Sequence, residues 1–278
     1  MISRKERSRE IGLDIGILFA RHFIGSDHLH FGYWTEDMEL KLENLHKAQE
    51  KHSDFLISQI PQNVKKILDV GAGAGALAKL LREKGYEVEC VSPSRNLARY
   101  IKLANGENFP VHLGKFENVT INDKYDLVLF SESFQYVNLE VALSKSHSLL
   151  NEGGHLLICD FFKTDAPGKS PLGGGHNLTA FYDAVKKHPF SIVTEHDITA
   201  NTAPNMDLVN QLLTGFIAPV YRMAMEYLRD YYKLVYRLIR YIFRKRLEKL
   251  DSKYFNGERN SKNFVKYKNY RSVLLKNL

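Results

Sequence analysis

The stretch ILDVGAGAGALAKLL, residues 67–81, decides the fold. Ile67–Val70 is an apolar run of strand length, and Ala76–Leu81 has the spacing of an amphipathic helix. Gly71, Gly73 and Gly75 fall where one becomes the other, with Ala72 between the first two. Glycines there allow a tight turn and close approach of a ligand to the backbone. The helix that follows offers unpaired N–H groups at its first turn. Gly71, Gly73 and Ala76 also satisfy the GxGxx[G/A] dinucleotide pattern, which alone is weak. Two features favour a different ligand. Asp69 sits inside the apolar strand end, where a carboxylate suits a cofactor bearing an ammonium and a sulfonium rather than a pyrophosphate. In addition, about 65 residues with two helical segments precede this strand.

Downstream, short apolar runs alternate with helical periods: "EVECVS", "PVHLG", "YDLVLF", "HLLICDFF" and "FSIVTEHDIT" read as strands. Strands that are apolar throughout and separated by helices predict an α/β fold, a mostly parallel sheet covered on both faces. "NYRSVLLKNL" predicts a last strand, and residues 201–263 before it read as a helical insertion.

At 278 residues with 44% apolar content the chain is long enough for one large packed domain. No stretch approaches the roughly 20 apolar residues that span a bilayer. Two cysteines, Cys90 and Cys159, lie in apolar strands, so neither a disulfide framework nor a zinc site is expected, and a reducing cytoplasm is. No carboxylate/His cluster has metal-ligand spacing.

The glycine stretch resembles motif I of the class I S-adenosylmethionine-dependent methyltransferases. The later pieces follow in that family's order: "CVSPS", "HLGKFENV", "YDLVLFSESFQYV" and "LLNEGGHLLICDFF". The resemblance implies a Rossmann-like seven-stranded sheet, S-adenosylmethionine as cofactor, and methyl transfer. The implied layout is an N-terminal helical cap (1–60), a core (61–200 plus 264–278) and a helical lid (201–263). Upstream, "LHFGYW…LKLENLHKAQEKHSDFL" is similar to small-molecule members such as tocopherol and sterol methyltransferases and cyclopropane fatty acid synthases. That likeness implies that Tyr33 contacts the cofactor carboxylate.

The resemblance also frames three departures. Ser92 stands where most of these families carry the acid that holds the ribose, so Ser92, Pro93 and Ser94 are expected to hold it more weakly. Lys115 replaces an acid that often pairs with the adenine amino group, leaving Phe116 to cover the ring. Gln135 stands where cyclopropane synthases carry a glutamate, which ranks cyclopropanation of a lipid alkene below methylation. Ser131 and Gln135 complete the expected cofactor contacts.

Ligands of open α/β sheets bind beyond the carboxyl ends of the strands. Three loops there are expected to form the acceptor site: Ser131–Tyr136, the glycine loop ending in His176, and the segment with His196, Asp197 and Thr199. His176 is the first candidate for a base, Tyr136 for orienting the acceptor, and Glu132 is a further catalytic candidate. A small apolar or lipid-like acceptor, a lipid or quinone, is expected. A cofactor-binding protein without turnover is the alternative from another class.

From Tyr221 onward there are sixteen Lys and Arg against five Asp and Glu, so this tail carries +11 of a net +7 and the rest is near −4. Arg229, Lys233, Arg237, Arg240 and Arg244 recur at helical spacing beside an apolar side. A basic helix over 219–250 is expected either to cap the site or to dock on an anionic membrane surface, with nucleic acid not expected.

Overall fold

The computed structural model describes residues 4–278. α1 (Arg4–Phe19) runs into a π turn (Ala20–Ile24), and Gly25 at φ 71° stops it. An extended segment leads to α2 (Leu45–Ser58), which buries Ala48, His52 and Leu56 at helical spacing. The alternation then begins: β1 (Lys66–Val70), α3 (Ala76–Glu83), β2 (Glu87–Ser92), α4 (Arg95–Asn105), β3 (Val111–Leu113) and β4 (Tyr125–Ser131). α5 (Leu139–Leu149), β5 (Leu150–Lys163), α6 (Leu178–Val185) and β6 (Phe190–Asp197) follow. After β6 come α7 (Thr199–Thr202), α8 (Pro204–Gln211), α9 (Ala218–Tyr231), α10 (Lys233–Tyr254), α11 (Ser261–Tyr267) and β7 (Lys268–Asn277).

The sheet has seven strands in the order β3-β2-β1-β4-β5-β7-β6. The β1/β2, β1/β4, β2/β3 and β4/β5 pairs are parallel and β6/β7 is antiparallel. The sheet is doubly covered, as the apolar strands predict, and mixed rather than parallel throughout, because β7 runs antiparallel to β6. Ile67, Leu68, Leu127, Val128 and Leu129 are fully buried, as strands covered on both faces must be. Short polar side chains set the helix starts. Ser94, Asn138 and Asn177 each accept a bond from a backbone N–H of the first turn, which fixes where α4, α5 and α6 begin.

The chain forms two compact units. The first holds the described residues up to Thr164, Gly174–Thr202 and Asn269–Leu278; the second holds Asp165–Gly173 and Ala203–Lys268. One expectation is corrected in the second unit. The basic segment is not one helix, because Tyr232 leaves helical backbone at φ −131° and ψ 55° and separates α9 from α10. The run Asp230-Tyr231-Tyr232 has lower helix propensity than its surroundings. Arg229 therefore lies on α9, and Lys233, Arg237, Arg240 and Arg244 lie on α10.

Candidate active site

Because β1, β2 and β4 are parallel and adjacent, their carboxyl ends at Val70, Ser92 and Ser131 open side by side. A cavity of about 670 Å³ lies there within the first unit, a size suited to a small organic ligand. Its floor is the glycine turn, with Asp69, Gly71, Ala72 and Gly73 in the wall. Gly71 (φ 79°) and Gly73 (φ 55°) occupy the left-handed region. A Cβ on Gly71 would lie 2.5 Å from the Cβ of Ser133, whereas one on Gly73 would meet only Leu29, at 3.8 Å. Gly71 is thus fixed by packing against the loop after β4, and Gly73 leaves the cavity open.

Two buried acids end neighbouring parts of the sheet and differ in one respect. Asp160, on β5, accepts from the backbone N–H of Gln135 at 3.0 Å, the Gln135 amide at 3.0 Å and the Phe161 N–H at 2.8 Å. Asp69 is equally buried, lines the cavity, and its Oδ2 has no hydrogen-bond partner. Burial pushes the Asp69 carboxyl up to about 7. A buried carboxylate without a donor is unfavourable unless a ligand brings one, so the site fits a cationic group. The hydroxyl of Ser131, also in the wall, is a second buried polar atom without a partner.

On β2 and the turn after it, Ser92, Pro93, Ser94 and Arg95 line the cavity. Ser92 donates its hydroxyl to the carbonyl of Ser94 at 3.2 Å, and Ser94 caps α4. Ser92 can therefore accept a bond from a ligand hydroxyl but has spent its own proton. Lys115, Phe116 and Glu117 line the next wall. Phe116 is buried edge-on against Phe130, 5.4 Å between centroids. The sequence suggests Lys115 and Phe116; Glu117, one residue further on, lines the wall as well.

The loop after β4 brings Ser131, Glu132, Ser133 and Tyr136 to the cavity. Glu132 has a φ of 52°, a conformation that an L residue adopts only when its surroundings impose it. Its Oε1 accepts from the Phe31 N–H at 2.7 Å and from the Tyr270 hydroxyl at 2.8 Å. Burial, with the nearby Asp160 charge adding to it, raises the Glu132 carboxyl to about 8 despite those two bonds. Since Tyr270 donates to Glu132, its oxygen accepts from His52 Nε2 at 3.2 Å, and His52 carries its proton on Nε2. Burial holds the His52 pKa down to about 3, so the ring stays neutral. Tyr136 is at the mouth, 61% exposed.

The segment before α2 closes the cavity, but through residues other than the expected one. His28, Leu29 and His30 line it, and Tyr33 does not. The Tyr33 ring instead stacks on Phe55 at 5.3 Å, and its N–H bonds the Ala48 carbonyl. His30 Nδ1 faces the Phe31 carbonyl at 2.8 Å and so carries the proton, leaving Nε2 to accept from His28 Nδ1 at 2.9 Å. Burial lowers both imidazole pKa values and keeps the pair neutral. The stretch "GSDHLHFGYW" is legible as an aromatic, His-rich loop; which of its side chains turns inward is not.

Three further expectations are corrected. Gly75 (φ 88°) is not in the cavity wall; a Cβ there would lie 2.9 Å from the Ile101 Cα, so it lets α3 and α4 approach. Gln135 does not line the cavity because its amide bridges Asp160 and the Gly175 N–H, the latter at 3.2 Å. His176 is not held over the cavity by a flexible glycine loop. Its Nε2 lies 3.1 and 3.0 Å from the carbonyls of Phe134 and Val137, and its carbonyl accepts from Lys163 N–H. Facing two acceptors, Nε2 must carry its proton. The loop with His196, Asp197 and Thr199 does not line the cavity either: β6 is the sheet edge, beyond β5 and β7.

Residues 41–202 match the family described as "Methyltransferase domain". This span is more than half of the chain, and the chain belongs to that family. An uncharacterized methyltransferase of Staphylococcus carnosus is 27% identical over 163 residues, covering 56% of this chain and 77% of the relative. Among solved structures, geranyl diphosphate C-methyltransferase from Streptomyces coelicolor A3(2) superposes with a TM-score of 0.66 at 17% identity, over 95% of this chain and 97% of that one. That protein was solved with Mg2+, geranyl diphosphate and S-adenosyl-L-homocysteine. The cyclopropane synthase MmaA2 from Mycobacterium tuberculosis superposes with a TM-score of 0.66 at 18% identity, over 95% of both chains. At such identities the two structures establish the fold alone.

Proposed function

We propose that this chain is an S-adenosylmethionine-dependent methyltransferase that acts on a small apolar or lipid-like acceptor, such as a lipid or a quinone. The observation that carries the cofactor assignment is the contrast between Asp160, which accepts three hydrogen bonds, and Asp69, equally buried, in the cavity wall, with an oxygen that has no donor. An amino-acid ammonium supplies the missing donors, and Asp69 holds it. Gly71 and Gly73 keep side chains away from the turn, Ser92 accepts one ribose hydroxyl, and Phe116 and Glu117 flank the base. When bound, the cofactor supplies an electrophilic methyl on a sulfonium.

Positioning accounts for much of the acceleration of such a displacement, and the residues around Glu132 suit that task. Where the acceptor atom carries a proton, Glu132 takes it. Its raised pKa makes it a stronger base than an ordinary carboxylate, and the Tyr270 and Phe31 donors fix its direction. His28, Leu29 and His30 cover the cavity and limit water. Tyr136 at the mouth orients the acceptor. Cyclopropane formation is the weaker reading, because the amide of Gln135 is bound to Asp160 and Gly175.

The test is release of S-adenosylhomocysteine when the protein is given the methyl donor and candidate acceptors, weighted toward quinones and unsaturated lipids. Acceptor-dependent release supports the reading. Tight cofactor binding with no product from any acceptor would favour a cofactor-binding protein without turnover.

A further inference from the structure

We infer that α9 and α10 form an interfacial surface that docks on an anionic lipid bilayer. An amphipathic surface helix normally turns its apolar stripe inward, but here a large apolar stripe faces out. On α9, Val220, Met223, Tyr227 and Tyr231 recur at three- and four-residue spacing, with Met223 60% and Tyr231 73% exposed. On α10, Leu234, Leu238, Tyr241 and Ile242 share one face, with Leu234 80% and Tyr241 86% exposed. The opposite face of α10, with Tyr236, Ile239 and Leu247, is half-buried, so the helix has its packed side already. A contiguous exposed apolar surface of this kind marks an interaction site.

Charge selects the occupant. α10 carries eight Lys and Arg against two Asp and Glu. Arg237 and Arg244 edge the apolar face, and Lys245 and Lys249 fall on the same face toward the C-terminus, whereas Arg240 lies over the Tyr236 ring on the packed side. Long cationic side chains beside Leu, Ile and Tyr let the apolar stripe enter a bilayer while the charges stay at the headgroups. Tyrosines suit the boundary between them. A neutral protein partner would leave these cations without a purpose, and nucleic acid would leave Leu234, Leu238 and Met223 without one. Among the described residues no helix is long and apolar enough to cross a membrane, so the mode is docking on the surface. This inference goes beyond methyl transfer and stands whatever the acceptor is.

The experiment is co-sedimentation of the full chain with vesicles of phosphatidylcholine alone and of phosphatidylcholine with phosphatidylglycerol. Binding to the anionic vesicles that weakens with salt is expected, with little binding to the neutral ones. Arg237→Ala with Lys245→Ala should weaken partitioning about 30-fold, since each cation near an anionic surface contributes a factor of about five. Leu234→Gln with Leu238→Gln, both exposed and both helix-compatible, should reduce it further at high salt. Circular dichroism and S-adenosylhomocysteine binding of the same variants should match the unmodified protein. Equal binding to both vesicle types, or unchanged binding by both variants, overturns the inference. So does RNA binding tighter than vesicle binding at equal salt, or a dimer that the leucine variants dissociate without any vesicle binding. Cofactor binding measured in parallel separates failure of this surface from failure of the methyltransferase reading.

Discussion

Tyr270 donates its hydroxyl proton to Glu132, 138 residues earlier in the chain, at 2.8 Å. The last strand thereby fixes the direction of the carboxylate that closes the loop after β4. The hydroxyl bond favours the charged carboxylate and holds the Glu132 pKa below where burial alone would put it. Tyr270→Phe removes that donor, so the pKa moves further up. If Glu132 is the base, turnover should rise with pH through about 8 in the unmodified protein, and the rise should move to more alkaline pH in the variant. A pH–rate profile with saturating methyl donor checks the direction.

Glu132→Gln keeps an acceptor oxygen for Phe31 and Tyr270 and removes the charge. Turnover with a proton-bearing acceptor should fall about a hundred- to ten-thousand-fold, the contribution of a positioned base. S-adenosylhomocysteine affinity should be unchanged. Loss of cofactor binding instead would make Glu132 part of the cofactor site.

The Asp69 carboxyl titrates near 7 in the folded chain, against an ordinary 3.8. Between those values the unfolded chain has released a proton that the folded chain retains. Stability without ligand should therefore fall as pH rises from about 4 to about 7 and then level off. Binding an ammonium favours the charged carboxylate, so cofactor affinity should rise with pH up to about 7. Asp69→Asn should flatten both dependences and weaken S-adenosylhomocysteine binding about 10- to 100-fold, as expected for a lost charged hydrogen bond. Thermal melts and calorimetry across this range test both signs.

Gly73 and Gly75 separate binding from folding. Gly73→Ala places its Cβ in ordinary contact with Leu29 at 3.8 Å and a φ of 55°, so it should destabilise by only about 1 kcal/mol while weakening cofactor binding. Gly75→Ala puts its Cβ 2.9 Å from the Ile101 backbone. It should lower stability by about 2–4 kcal/mol, with bound affinity little changed in the fraction that folds. Denaturation curves and titrations of both variants distinguish the two.

Gln135→Glu would restore the acid found in cyclopropane synthases, but beside Asp160 rather than in the cavity. Two carboxyls would then share one proton. Stability should fall as pH rises from about 4, where the unfolded carboxyls ionise while the folded pair keeps its shared proton, and the fall should extend beyond the value of about 7 to which burial raises the Asp160 carboxyl. No cyclopropane product should appear.

The sheet was legible because the apolar runs of β1, β4 and β5 and the apolar end of β2 are separated by helical periods, which few other folds accommodate. Asp69 was legible because a charge at the end of an apolar strand needs a reason. The same logic applies to Asp160 in "LLICDFF". Applied there, it leads to Gln135 as the donor to Asp160, with the glycine loop donating in turn to Gln135, and away from His176 as a base. Tyr33 and the residues of Asp27–His30 could not be told apart, since an extended segment has no periodicity to say which side chain turns inward. The break at Tyr232 was hidden for a different reason: neither glycine nor proline marks it.

The measurement that tests the central claim most directly is calorimetric titration of the full chain and of Gly73→Arg with S-adenosylhomocysteine. The arginine side chain would project from an open point of the cavity wall near Leu29. Micromolar binding to the unmodified protein, lost in Gly73→Arg while its melting curve is largely kept, is the predicted result. No binding to the unmodified protein, or equal binding to the variant, would contradict the placement of the cofactor at the end of β1.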